Sequence, residues 1–138
     1  MNEEIDYLAR LKHEMERPPY HAVLGPQPVA VDAKAGMVEI RLPYRPEFRR
    51  LPDEEGYHGG VIAALIDLTG HAAVAVQVGR MVPTIDLRID YLRAAPGCDL
   101  TARGKVLRAG RSIARADVEI LDQSNKVVAV GRGTYSTL

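Results

Sequence analysis

Residues 58–78 read HGGVIAALIDLTGHAAVAVQV, and the rest of the chain has to be arranged around them. From Val61 to Val78, 13 of 18 positions are Ala, Val, Ile or Leu, a length and Ala/Leu content that favour helix over strand. Asp67, Gly70, His71 and Gln77 interrupt the run, so it reads as a buried helix rather than a membrane span. A helix that is apolar on nearly every face must be covered on nearly every face.

The cover comes from what flanks the helix. Four strand-like segments follow it, at 82–92, 100–108, 111–121 and 126–137. In the first, Ile85, Leu87, Ile89 and Tyr91 alternate with Thr84, Asp86, Arg88 and Asp90, the two-residue period of a half-buried strand. Ala109-Gly110 reads as a tight hairpin and Asp122–Asn125 as a turn. Upstream, Val38, Ile40 and Leu42 oppose Met37, Glu39 and Arg41 in one more strand. Before it, Ile5, Leu8, Leu11 and Met15 predict a short amphipathic helix over 3–16, ended by Pro18-Pro19. Residues from there to Gly25-Pro26 read as loop or irregular strand, and 43–57 as a long surface loop rich in Pro and charge. The order is helix, strand, loop, central helix, four strands: an α+β chain whose curved antiparallel sheet wraps one helix. Such a sheet leaves exposed edges, and pairing with a second copy edge to edge remedies that.

Composition bounds the function. The length of 138 residues fits one domain, with 1–20 as a helical extension. Net charge is zero and 26% of residues are charged, which gives no general attraction to nucleic acid or anionic membrane. Cys98 is the single cysteine, which excludes an intrachain disulfide framework and fits a reducing compartment. The start, MNEEIDYLARLKHEMERPPY, is acidic where an export signal is basic, so a cytoplasmic location is expected. His13, His21, His58 and His71 show no metal-ligand spacing, and no phosphate-loop, dinucleotide or nucleophile-elbow motif is present. No metal or cofactor is expected.

Three features could carry chemistry. His58-Gly59-Gly60 falls at a helix N-terminus, where the first N–H groups lack intrahelical partners and the dipole is positive; it is either an oxyanion site or only a tight turn. Asp67 interrupts an apolar face and needs a partner, a shifted pKa or a cavity; alternatively it sits at the helix edge, bonded to His71 one turn on. His71 itself reads as a core or interface histidine. The third feature is the run Arg103, Lys105, Arg108, Arg111, Arg115, which contains no acidic residue. It is a solvated sheet face or a landing site for phosphates.

Taken in order, His58-Gly59-Gly60, Asp67 nine residues after the histidine, Thr84-Ile85-Asp86-Leu87 opening a strand that runs to Tyr91-Leu92, Pro96-Gly97, and Gly131-Arg132-Gly133-Thr134 resemble the hotdog-fold acyl-CoA thioesterases of the phenylacetate-pathway (PaaI-like) type. The resemblance implies a five- or six-stranded antiparallel sheet around one long helix, dimers or dimers of dimers (a homotetramer), and active sites at the dimer interface. It implies that the Gly59 N–H polarises the thioester carbonyl, that Asp67 is nucleophile or general base, that Thr84 of a partner subunit positions water, and that His58 supports the loop. Gly60, Arg111 and Arg115 would contact the acyl-CoA substrate, the two arginines through its phosphates. The asparagine this family commonly carries before the histidine is replaced here by Pro52, between Leu51 and Asp53. Hydrolysis of a small or medium acyl-CoA is the expected function. A non-catalytic acyl-CoA-binding module and a dehydratase of 3-hydroxyacyl thioesters are the alternatives.

Overall fold

Because α3 (Gly59–Val78) is apolar around its circumference, it becomes the axis of the molecule, and a six-stranded antiparallel sheet closes over it in this computed structural model, which describes residues 3–138. The strands are β1 (Gln27–Asp32), β2 (Met37–Leu42), β5 (Thr84–Tyr91), β6 (Leu100–Ala109), β7 (Ile113–Leu121) and β8 (Val127–Ser136), in the spatial order β1-β2-β6-β7-β8-β5. This is the hotdog arrangement. By length and hydropathy α3 could cross a membrane, yet it is the core helix. Leu65, Ile66, Ala72, Ala73, Val74 and Val76 are fully buried against Val38, Ile40 and Leu42 of β2 and Ala114, Ala116, Val118 and Ile120 of β7. On β2 and β7 the inward faces read from the two-residue period are the buried ones, whereas on β5 Leu87 and Ile89 are half-buried and Ile85 and Tyr91 stay exposed.

Three segments differ from the sequence reading. The first helix, α1 (Tyr7–Glu16), starts at the Asp6 cap, whose side chain accepts from the Ala9 N–H, so Ile5 and Leu8 stay exposed while Leu11 and Met15 are buried. Residues 1–2 of the expected helical extension lie outside the described residues. Residues 19–24 form α2 (Pro19–Leu24), with proline at its first position and left-handed Gly25 as its C-cap, and β1 follows as the sixth strand. Within the expected loop, a 3-10 turn (Pro46–Phe48) leads into a small hairpin of β3 (Arg49–Leu51) and β4 (Glu54–Tyr57). Its aromatic residues Phe48 and Tyr57 are buried and stacked, contacts with no periodic signature.

One contact in the core bears on the site. Tyr135 of β8 is fully buried, and its hydroxyl donates to the backbone carbonyl of Asp67 at 3.1 Å. Burial pushes that hydroxyl's pKa up, so it remains a donor. Gly70 on the helix and Gly133 on β8 make room, since a Cβ at either would overlap the Tyr135 ring or hydroxyl. Gly133→Ala should therefore lower stability by about 1–3 kcal/mol, the usual effect of overpacking a core. Thermal denaturation measures it as a drop of several degrees, and an unchanged midpoint would mean that Tyr135 is not wedged there.

Candidate active site

The helix N-terminus is held by backbone bonds from both sides. The Tyr57 N–H donates to the Ala95 carbonyl at 3.2 Å and the His58 N–H to the Phe48 carbonyl at 2.7 Å. His58 then caps α3, its Nδ1 accepting from the Gly60 N–H at 2.8 Å, which puts the neutral ring's proton on Nε2. Tyr91 Oη donates to the Gly59 carbonyl at 2.7 Å. The Gly60 N–H and the Gly59 carbonyl are thus occupied. Among the described residues nothing accepts from the Gly59 N–H, and Gly59 borders a surface depression with Arg50, Tyr57, Gly60, Tyr91 and Arg93. A free N–H on a helix N-terminus is a ready anion site.

Asp67 stands two turns further along α3, half-buried. Gly60, Ala63, Ala64, Asp67 and His71 recur at three- and four-residue intervals and form one partly open stripe on an otherwise buried helix. Thr84 Oγ1 donates to Asp67 Oδ1 at 2.8 Å. Within one chain Thr84 thus meets Asp67 directly. The cause is a bulge at Ile85, where Thr84 pairs with Tyr135 but Asp86 with Thr134. The extra residue turns Thr84 onto the helix side of the sheet, whereas plain alternation places it with Asp86 outside. Asp67 borders an open cavity of about 510 Å³ with Ala64, Leu68, Met81 and Thr84 on one side and α1 and α2 residues on the other.

The helix-edge pairing of Asp67 with His71 is not made. His71 Nε2 accepts from the Val82 N–H at 3.2 Å, and Nδ1 faces Glu14 Oε2 at 3.7 Å. Burial lowers the His71 pKa against the opposing pull of Glu14 and Asp67, so the ring is neutral with its proton on Nδ1.

Gly59 and Asp67 are eight residues apart, about 12 Å of helix at 1.5 Å per residue. One thioester carbon cannot meet both groups of a single chain, since each must come within about 3 Å of the reacting atoms. The chain therefore presents two half-sites: an anion-binding N–H, and a carboxylate oriented by a threonine.

Pro52 lies in the exposed turn of the β3–β4 hairpin, and of residues 50–53 it is Arg50 that borders the depression at Gly59. Of the basic run, Arg103 is engaged by Glu39 at 2.8 Å and Glu119 at 3.9 Å. Arg108 pairs across strands with Arg115, and Arg111 sits in the hairpin between them. Among the described residues none of these three has a carboxylate partner. Nor is any cluster of three or more His, Cys, Asp or Glu among them placed to hold a metal. Tyr135 and Tyr91, which fix the two half-sites, were missed as site residues. The glycines at 70 and 133 were the available signal for Tyr135.

A sheet wrapped around a helix, with a helix-borne carboxylate and a free N–H at the helix start, defines the hotdog class of acyl-transfer enzymes. Residues 57–129 match the model of the thioesterase superfamily. A Halobacterium salinarum protein provisionally named an esterase is 36% identical over 115 residues, 75% of this chain and 76% of its own length. The Escherichia coli medium/long-chain acyl-CoA thioesterase YigI is 37% identical over 93 residues, 56% of this chain and 60% of its own. The solved structure of Escherichia coli PaaI, from the phenylacetic acid degradation operon, superposes with a TM-score of 0.82 at 25% identity, covering 96% of this chain and 94% of that one. The chain belongs to the thioesterase superfamily, and it is a thioester hydrolase.

Proposed function

We propose that this protein hydrolyses a small or medium acyl-CoA thioester to the free acid and CoA, at sites shared between two copies of the chain. The observation that carries the reading is the carboxylate–threonine pair of Asp67 and Thr84 on an open cavity, with the unpaired Gly59 N–H too far away to serve it in the same chain. In the assembled site, the Gly59 N–H of one subunit receives the thioester oxygen as it becomes an oxyanion. Asp67 of the other subunit, held through Oδ1 by Thr84, uses its free oxygen as base toward water or as nucleophile. His58 keeps the loop closed by capping Gly60. The CoA thiolate leaves and takes a proton; on the base route that is the proton Asp67 took from water, exchanged through solvent, and on the nucleophile route water then cleaves the acyl–Asp67 anhydride, which releases the acid and restores the carboxylate.

The surface supports such pairing. β5 is an edge strand, and Met81, Ile85, Tyr91 and Leu92 on and beside it are each more than half exposed, an apolar grouping that marks an interface. A homodimer or dimer of dimers, cytoplasmic and with no nucleic acid or membrane partner, is the assembly proposed. Incubation with a panel of acyl-CoAs should release free thiol, and binding without thiol release would refute hydrolysis.

The arginines extend the reading to CoA. The row Thr84, Tyr135, Ala114 crosses β5, β8 and β7, which puts the Arg111–Arg115 end of the hairpin about 10 Å from Thr84 at the usual strand spacing. Arg115 faces Arg108 across the strands without a carboxylate, a repulsion that phosphate would relieve. Replacing Arg111 and Arg115 by Ala should raise KM for acyl-CoA several-fold and spare a short thioester lacking the nucleotide. Equal losses on both substrates would make them structural.

A further inference from the structure

Two open spaces follow one another along α3, and one pair of side chains separates them. The first is the cavity beside Asp67. The second, about 290 Å³, lies between α1 and α3 and is bordered by Ala9, Arg10, His13, Ala75 and Gly79. Glu14 borders both. It is 8% exposed, and its Oε2 meets His71 Nδ1 at 3.7 Å, so the two side chains are partners across the gap between the helices. Asp67, His71 and Ala75 succeed one another at four-residue intervals on α3, which puts His71 at the end of the first space and Ala75 in the second. The depth of the first space runs toward the pair: Pro19, Tyr20 and Met81 on its border are exposed, whereas Glu14, His21 and Leu68 are buried. An apolar chain entering past Ala64 and Leu68 therefore ends against a carboxylate and an imidazole. Packing methylenes onto those groups is unfavourable, and their bulk closes the passage.

We infer that Glu14, held by His71, sets the length of acyl chain the protein accepts, as a partition that limits the cavity to short chains and shuts off the groove behind it. This rests on the thioesterase reading of Asp67. From Asp67 to His71 is about 6 Å along the helix, and from His71 to Gly79 about 12 Å more. An extended chain advances about 1.2 Å per bond. A chain of about six carbons thus fills the cavity, and the groove has length for about ten further bonds. Arg10 at the far end of that groove is already engaged, donating to the Val76 carbonyl at 2.8 Å. The 57–129 match leaves out α1, so Glu14 belongs to this chain's own amino-terminal segment.

The test is the profile of kcat/KM against acyl length, from acetyl-CoA to tetradecanoyl-CoA. Wild-type protein should peak near hexanoyl-CoA and fall about tenfold or more by dodecanoyl-CoA, the scale on which a pocket reads added methylenes. Glu14→Ala joins the two spaces and should raise the ratio of dodecanoyl- to hexanoyl-CoA hydrolysis by about tenfold or more. Glu14→Gln keeps the bulk of the partition and should keep the wild-type cut-off. Ala9→Phe added to Glu14→Ala refills the groove from the α1 side and should restore it. His71→Ala opens the partition from the α3 side and should shift the profile the same way, which frees the test from how well Glu14→Ala folds. A structural role would lower every length together and leave the profile's shape intact, and that result would overturn the assignment. So would a wild-type profile that keeps rising beyond hexanoyl-CoA. The same series is titrated onto Asp67→Asn protein with and without Glu14→Ala, where dissociation constants read the partition without turnover. If wild-type protein releases no thiol from any acyl-CoA, the hydrolase reading fails while these constants still judge Glu14.

Discussion

Asp67→Asn should lower hydrolysis by a factor of about 100 or more, the scale of removing a positioned base, and by more if Asp67 is the nucleophile. The substitution keeps the shape of the side chain, and Thr84 can still donate to its amide oxygen, so the half-site keeps its form. Tyr135 bonds only the backbone carbonyl of residue 67, which is indifferent to the change. The fold should survive, because a half-buried carboxylate loses a charge there and gains none. Circular dichroism and thermal denaturation on the same sample separate chemistry from folding. A folded variant turning over its best substrate at near wild-type rate would remove Asp67 from the mechanism.

Gly59→Pro should cost about 100- to 1,000-fold in kcat, the effect of losing one oxyanion donor. Proline is favoured at the first position of a helix, where the N–H has no intrahelical partner, and Gly59 holds that position in α3. Residue 58 already has the backbone a following proline demands, φ −61 and ψ 133. A Cβ at position 59 would meet the Tyr91 ring at 3.5 Å, an ordinary contact. The variant thus deletes one hydrogen-bond donor and little else. Gly59→Ala keeps the N–H, and its smaller loss would measure crowding alone. Equal activity of the proline variant and wild type would place the oxyanion elsewhere.

The central helix was legible because a run of 18 residues so rich in Ala, Val, Ile and Leu has few other fates, and the inward faces of β2 and β7 followed from alternation. What escaped was whatever depends on pairing rather than period. The Ile85 bulge is a mismatch between β5 and β8 that neither strand shows alone, and it reverses the facing of Thr84. Plain alternation therefore places Thr84 on the face away from Asp67. α2 and β1 are short and carry their signal in caps and a bulge instead of a hydrophobic stripe. The pairing of Arg103 is not visible along the chain because its acidic partners, Glu39 and Glu119, lie on neighbouring strands. Asp67 and Gly59 could be named from the chain because a carboxylate in an apolar run and glycines before a helix are local anomalies.

The division of each site between two chains is tested most directly by co-expressing the Asp67→Asn and Gly59→Pro chains under separate affinity tags and assaying the doubly tagged assembly. Each variant alone carries a defect in both sites of a symmetric dimer. In a mixed dimer one site combines both defects and the other has an intact Gly59 and an intact Asp67, so activity should return to about half of the wild-type value per dimer. Activity no higher than that of the two variants measured separately would contradict the account, and would require Gly59 and Asp67 of one chain to act on the same thioester.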